Sequence, residues 1–230
     1  MPEATDYICA RQMMVEQQLV ARGIRHERVL DAMREVPREA FIAANLAEFA
    51  YHDSPLPIGE EQTISQPYVV ALMLEAAAIA AQNKVLEIGA GSGYVAALLS
   101  RMARKVYAIE RHSGLAKEAT KRLQQLGYHN AEILCADGTA GLPVAAPFDA
   151  IIVSAGSPDI PETLKRQLAI GGRLVIPVGL SEHGQMLIRL TRQAEDAFES
   201  ERLVPVSFVP LIGRYGWAAG REGSPDRGDI

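Results

Sequence analysis

Cysteine is scarce in this chain. Cys9 and Cys135 are the only two in 230 residues, and they lie far apart with no Cys-x-x-Cys or Cys/His cluster. That pattern excludes a disulfide framework and a structural zinc site, and no metal is expected. It suits reduced, buried thiols in a cytosolic protein. A basic excess is also lacking: 23 Lys and Arg against 28 Asp and Glu leave a formal charge of −5. Broad binding to nucleic acid or to an anionic membrane is therefore not expected, although a local basic pocket is compatible with that total. Long apolar runs are missing too. The longest stretch, Val69 to Ala81, is broken by Glu75 and falls short of the ~20 residues that cross a bilayer. The opening Met1-Pro-Glu-Ala-Thr-Asp6 is acidic, without the apolar segment of a secretory signal. These absences predict a cytoplasmic protein. No heptad or exposed apolar stripe calls for a dimer, so a monomer is expected.

What is present fits one large α/β domain with extensions, 48% hydrophobic and 22% charged. The pattern divides residues 1–230 into four segments within a single domain. Residues 1–50 read as a helical cap: one stripe of Ile8, Met13, Met14, Leu19 and Val20 ends near Gly23, and a second of Val29, Leu30, Met33 and Val36 ends at Pro37. Residues 51–67 read as a loop rich in turn formers, of a length that is often functional. Residues 68–217 read as a core. It has helices over 68–81, 93–103, 113–126 and 161–169, and strands over 84–89, 105–110, 131–136, 148–154, 173–178, 185–192 and 202–211. Such alternation implies a doubly wound, mostly parallel sheet. The last segment, 218–230, is Gly-, Pro- and charge-rich and reads as a disordered tail.

The run Val85-Leu-Glu-Ile-Gly-Ala-Gly-Ser-Gly-Tyr94 carries the most chemistry. A strand enters three glycines, Gly89, Gly91 and Gly93, and a helix leaves them. Such a turn lets a ligand approach main-chain N–H groups without a Cβ in the way. A dinucleotide turn needs G-x-G-x-x-G, and Tyr94 occupies its last position, so a nicotinamide dehydrogenase is disfavoured. The next strand ends in Glu110, whose carboxylate can accept hydrogen bonds from a ribose diol. The third ends in Ala136-Asp137-Gly138. Asp137 would either accept an adenine amine or close an Asx-turn, with Gly138 supplying the turn, and its residues leave both open. The fourth ends in Ser154-Ala155-Gly156, without the Asn/Asp-Pro-Pro-aromatic motif of many nitrogen-directed methyltransferases. Small residues there would expose main-chain groups to a peptide backbone, or simply cap the next helix. Three successive strand ends of this kind point to a nucleoside-binding methyltransferase core.

Within the long loop, Gln62-Thr-Ile-Ser-Gln-Pro-Tyr68 places Ser65 where it would N-cap the following helix. Together with Asp53-Ser-Pro-Leu-Pro-Ile-Gly59, the glycine run, Pro147-Phe-Asp-Ala-Ile-Ile-Val153, Gly171-Gly-Arg-Leu-Val-Ile-Pro-Val-Gly179 and Phe208-Val-Pro-Leu211, this segment resembles the protein-L-isoaspartate (D-aspartate) O-methyltransferase family. The resemblance runs from about residue 10 to 217. It implies a Rossmann-like methyltransferase fold with a mostly parallel seven-stranded sheet and an N-terminal helical extension. Which of 185–192 and 202–211 lies at the edge stays open.

The resemblance also implies the activity: methyl transfer from S-adenosyl-L-methionine, leaving S-adenosyl-L-homocysteine, to the α-carboxylate of L-isoaspartyl residues in damaged proteins and peptides, with repair through a succinimide. By the same resemblance Ser65 is the active-site serine and Asp53 sits near the sulfonium. Thr63, Ile64, Gln66, Glu87, Gly89, Ala90, Gly91, Ser92, Gly93, Glu110, Arg111, Asp137 and Gly138 would hold the cofactor. Tyr68, Ala155, Gly156 and Val209 would meet the peptide. Rival readings are a methyltransferase of a small molecule or RNA, and an inactive binding protein that kept the fold. The retained Gly91, Glu110 and Asp137 weigh against the last.

Overall fold

The computed structural model describes residues 6–181 and 184–218. The tail expected over 218–230 lies outside them, apart from Ala218. The chain opens with α1 (Tyr7–Met14), which continues through a π turn and a 3-10 turn to Gly23, where φ is +98°. After α2 (Glu27–Glu35) come two 3-10 turns, Arg38–Phe41 and Ala44–Phe49. A hairpin follows, β1 (Leu56–Gly59) and β2 (Gln62–Ile64), and then α3 (Pro67–Ala77). The alternating part runs β3 (Lys84–Ile88), α4 (Tyr94–Met102), β4 (Lys105–Glu110), α5 (Ser113–Gln125), β5 (Ala131–Cys135), β6 (Phe148–Val153), α6 (Glu162–Arg166) and β7 (Leu168–Val178). Strands β8 (Gln185–Arg192) and β9 (Phe198–Val206) end it.

Seven strands form one sheet in the order β5-β4-β3-β6-β7-β8-β9. The first five pair in parallel, and β7-β8 and β8-β9 are antiparallel. The open question is thereby answered: β9 is the edge. Its Glu199, Glu201 and Arg202 are exposed, which suits a strand that must not pair with another chain.

The sheet separates two apolar cores because neighbouring strand residues point to opposite faces. Val85, Val106, Ile152 and Val175 join α1 to α4 on one side, whereas Leu86, Ile88, Ile109, Val153 and Leu174 join α6 and Leu211 on the other. With both faces covered, β3 and β6 are apolar almost throughout. The chain passes from β3 outward to β4 and β5, then returns to β6 on the other flank of β3. A crevice opens beyond the carboxyl ends of strands where the order reverses in this way.

Several expectations are corrected. Residues 52–67 are not structureless but contain the β1-β2 hairpin. Its turn uses positive φ at Gly59, Glu60 and Glu61, without the Asn-Gly signature that would have marked it. In α1 the inward face is Tyr7, Ala10 and Met14, so Ile8 and Met13 are exposed. Both cysteines are exposed, not buried. Helix α3 stops at Ala77 because Ala78 turns left-handed, α6 is shorter than expected, and β7 begins at Leu168. The last strand starts at Phe198 and leaves residues 207–211 outside it.

Candidate active site

The glycine loop joins β3 to α4 through positive φ at Gly89 (+86°), Gly91 (+53°) and Gly93 (+87°). The N–H groups of Gly89 and Ala90 both donate to the Ile109 carbonyl, at 2.8 and 3.1 Å, tying the loop to β4. A Cβ on Gly91 would lie 3.0 Å from Ile58 Cδ1, so the β1-β2 hairpin covers this glycine closely. The result is a cavity, open to solvent, at the point where the strand order reverses.

Two carboxylates stand in its wall. Glu110 is 5% exposed. Its Oε2 accepts from Gly91 N at 2.8 Å and its Oε1 from His112 N at 2.9 Å. An ionised carboxylate has acceptor sites beyond these two. Glu87 is fully buried, and among the described residues neither of its oxygens has a hydrogen-bond partner. Burial, and after it the neighbouring Glu110, pushes the Glu87 carboxyl well above the usual carboxylate range. An orphaned pair of buried oxygens is costly to a fold, and this pair belongs to a residue lining the cavity.

A second open groove, lined by Pro55, Gln66, Val69 and the 205–209 segment, shares Thr63, Ser65, Ser154 and Val209 with the first. The two spaces therefore meet at Ser65. Among the described residues its hydroxyl has no hydrogen-bond partner. Its carbonyl accepts from Arg38 Nη2 at 2.8 Å. The expected capping role fails: the N-cap of α3 is Gln66, with no side-chain cap, and Tyr68 N instead donates to Asp53 Oδ1 at 3.0 Å. Asp53 also accepts from Gln66 Nε2 at 2.6 Å and pairs with Arg22. It braces the loop from behind and does not line the cavity.

Of the residues singled out from sequence, Thr63, Ile64, Ser65, Glu87, Gly89, Ala90, Gly91, Ser92, Glu110, Arg111, Gly138, Ala155 and Val209 come together around the cavity. Gln66 lies in the adjoining groove. Gly93 caps α4 behind the loop, with its Cβ position 3.2 Å from Ala119 Cβ. Tyr68 lines neither space, and its ring is covered by the Arg22 guanidinium. Gly156 is not free to meet a peptide backbone: its N–H donates to Val209 O at 2.8 Å, and its carbonyl accepts from Leu211 N and Trp217 Nε1.

Asp137 adopts the Asx-turn alternative. Its Oδ1 accepts from Thr139 N and Oγ1, and its Oδ2 from Arg214 N, which ties the C-terminal segment to β5. Burial pushes its carboxyl up, but these hydrogen bonds outweigh that and hold it below the usual range. Its carboxylate does not line the cavity, although Gly138 does. Ile58, Ser154 and Ile212 line the cavity without having been expected. Only Ser154, at a strand end, carried any positional signal. Among the described residues no cluster of His, Cys, Asp and Glu could hold a metal, and no helix is long and apolar enough to cross a membrane.

Known proteins resemble this chain over most of its length. The profile of the protein-L-isoaspartate (D-aspartate) O-methyltransferase family matches residues 10–216. A protein-L-isoaspartate O-methyltransferase of Methylorubrum extorquens is 59% identical over 209 residues, 91% of each chain. One from Pelobacter propionicus is 56% identical over 207 residues, covering 90% of this chain and 92% of its own. A solved protein-L-isoaspartate O-methyltransferase superposes with a TM-score of 0.81 at 30% identity, over 90% of this chain and 67% of its own. A putative one from Plasmodium falciparum, in complex with S-adenosyl-L-homocysteine, does so with a TM-score of 0.77 at 26% identity, over 88% and 98%.

Proposed function

The chain belongs to the protein-L-isoaspartate (D-aspartate) O-methyltransferase family, and from that premise we propose how its residues divide the work. It is an S-adenosylmethionine-dependent enzyme that methylates L-isoaspartyl residues of proteins and peptides. Glu110, Glu87 and the Gly89–Gly93 loop hold the cofactor, Ser65 orients the carboxylate, and the groove beside Ser65 takes the peptide. The observation that carries this reading is the meeting of the two spaces at Ser65.

The cofactor fits what stands there. The orphaned Glu87 oxygens suit a cationic ligand, and Glu110 keeps acceptor sites for a diol beside main-chain groups that no Cβ shields. When bound, S-adenosylmethionine supplies a methyl group already activated by its sulfonium. Little is then asked of the protein's side chains. A carboxylate with a pKa near 4 is ionised at neutral pH, so no strong general base is required. What remains is orientation, which an unpartnered hydroxyl at the junction can provide by donating to one carboxylate oxygen. The apolar groove of Val69, Phe208 and Val209 leaves the rest of the peptide to shape and main-chain contacts. Asp53 acts from behind the loop, by holding Gln66 and Tyr68 in place.

The acidic net charge supports a peptide over RNA as partner, and we read the protein as a cytoplasmic monomer of one domain. The test is to incubate it with labelled S-adenosylmethionine and a matched peptide pair, one isoaspartyl and one aspartyl. Base-labile ester on the isoaspartyl peptide alone is expected; equal labelling of both, or none with cofactor bound, refutes the reading.

A further inference from the structure

Arg38 is fully buried, yet no carboxylate among the described residues pairs with it. A guanidinium taken out of water is costly unless its charge and donors are matched, and an apolar side chain of similar size often serves stability as well. Its bonds suggest what it is for. Nε donates to the Ala50 carbonyl at 2.8 Å, and Nη2 donates to the Ser65 carbonyl at 2.8 Å. Nη1 has no partner. The guanidinium carbon lies 5.1 Å from the centroid of the Tyr94 ring, a cation-π distance. Burial pulls the guanidinium below its ordinary value, but arginine starts so high that it remains charged.

The three contacts belong to three parts of the site. Ala50 stands just before the active-site loop, Ser65 near the loop's end, and Tyr94, a residue of the cavity lining, opens α4 directly after Gly93. One side chain thus ties both ends of the loop to the element that begins at the glycine turn. Tyr94 is itself held, edge-on to Phe41 and with its hydroxyl on Met33 Sδ. The Ser65 hydroxyl has no such restraint of its own.

We propose that Arg38 is a positioning residue for methyl transfer: by gripping the Ser65 carbonyl against Tyr94, it sets where the Ser65 hydroxyl stands relative to the glycine loop. This rests on Ser65 orienting the substrate carboxylate. An in-line transfer is sensitive to misplacement on the order of 1 Å, and Arg38 is the side chain that holds the Ser65 main chain. A packing role alone would change stability without separating turnover from binding.

The experiment is a double-mutant cycle on the whole protein. Arg38→Lys and Arg38→Met are each made alone and with Ser65→Ala, and kcat and KM for an isoaspartyl peptide, the Kd for S-adenosylhomocysteine and the Tm are measured. Arg38→Met is expected to lower kcat roughly tenfold or more. Its cofactor Kd should stay within about threefold, and Arg38→Lys, which keeps the charge and can reach a carbonyl, should recover part of kcat. In the Ser65→Ala background neither change should lower kcat further. The same fractional loss in both backgrounds, or a Kd that rises in step with the loss of kcat, overturns the proposal and leaves Ser65 untouched. A silent Ser65→Ala overturns the Ser65 reading and Arg38's part with it. If Arg38→Met does not fold, the Arg38→Lys cycle measures the same coupling to Ser65 and decides between these outcomes.

Discussion

Replacing Glu110 by Gln tests the cofactor half of the site most sharply. In the structure both carboxylate oxygens accept main-chain N–H groups, from Gly91 at 2.8 Å and His112 at 2.9 Å, and the group is 5% exposed. A Gln keeps one acceptor oxygen and puts an NH₂ where the other stood. If the oxygen stays on Gly91, the NH₂ faces the His112 N–H, donor against donor. Two losses follow, and they are read separately. The charge-assisted hydrogen bond to the ribose is worth ~1.5–3 kcal/mol, so the Kd for S-adenosylhomocysteine should rise roughly tenfold to a hundredfold. The unpaired N–H inside the protein costs a further ~1–3 kcal/mol of stability. For a chain of this size that lowers Tm by ~2–4 °C per kcal/mol. Titration calorimetry with S-adenosylhomocysteine gives the first number without the sulfonium charge, and scanning calorimetry on the ligand-free protein gives the second. A lowered Tm with an unchanged Kd refutes the ribose role and leaves Glu110 as a brace between two loops.

Glu87→Gln addresses the buried acid. Its folded carboxyl is raised above the unfolded value of ~4.3, so below that pH both states are protonated and the ionisation of Glu87 costs no stability. As pH climbs through the unfolded value toward the folded one, the unfolded chain ionises first and stability falls. Melts of the ligand-free proteins from pH 4 to 8 should therefore diverge upward from there, with the Gln variant the more stable at neutral pH; parallel curves sink the idea. Asp53→Ala removes the acceptor of Tyr68 N and the tie to Gln66, for a cost of ~1–2 kcal/mol in chemical denaturation. The partly exposed Arg22 pair adds little to that. Because Asp53 lies behind the loop, the Kd for S-adenosylhomocysteine should hold; a large rise would put Asp53 at the cofactor after all.

The parts legible from the sequence were those in which one residue's chemistry decides its own conformation. Gly89, Gly91 and Gly93 all take positive φ, and a glycine triad after an apolar strand announces that directly. The alternation of β3 to β6 with α4 and α5 was visible because the central strands β3 and β6, covered on both faces, are apolar almost throughout. What failed depended on distant partners. Ser65 precedes a helix and is a good capping residue, but Asp53, fifteen positions before Tyr68, takes the Tyr68 N–H, and no local pattern reveals which of two acceptors prevails. Gly156 looked open because it is small, whereas its smallness admits Gln185: a Cβ there would stand 2.2 Å from Gln185 Nε2. Asp137 similarly answers to Arg214, 77 residues away. The hairpin within 52–67 was hidden because its turn forces Glu60 and Glu61 into left-handed backbone, which their side chains do not favour.

The distribution of charge across the site explains why so few side chains are needed. Methyl transfer to a carboxylate joins a cation to an anion and leaves two neutral groups. The acids Glu87 and Glu110 stand in the wall of the cavity that begins at the glycine loop. The groove on the far side of Ser65 contains no acid among its lining residues, so a substrate carboxylate entering there meets no like charge. On the proposed roles, each reactant is thus placed where its own charge is tolerated. On those same roles, methyl transfer would remove the substrate charge that the Ser65 hydroxyl assists and the sulfonium charge of the cofactor, so each reactant would lose one charge-dependent contact on becoming product.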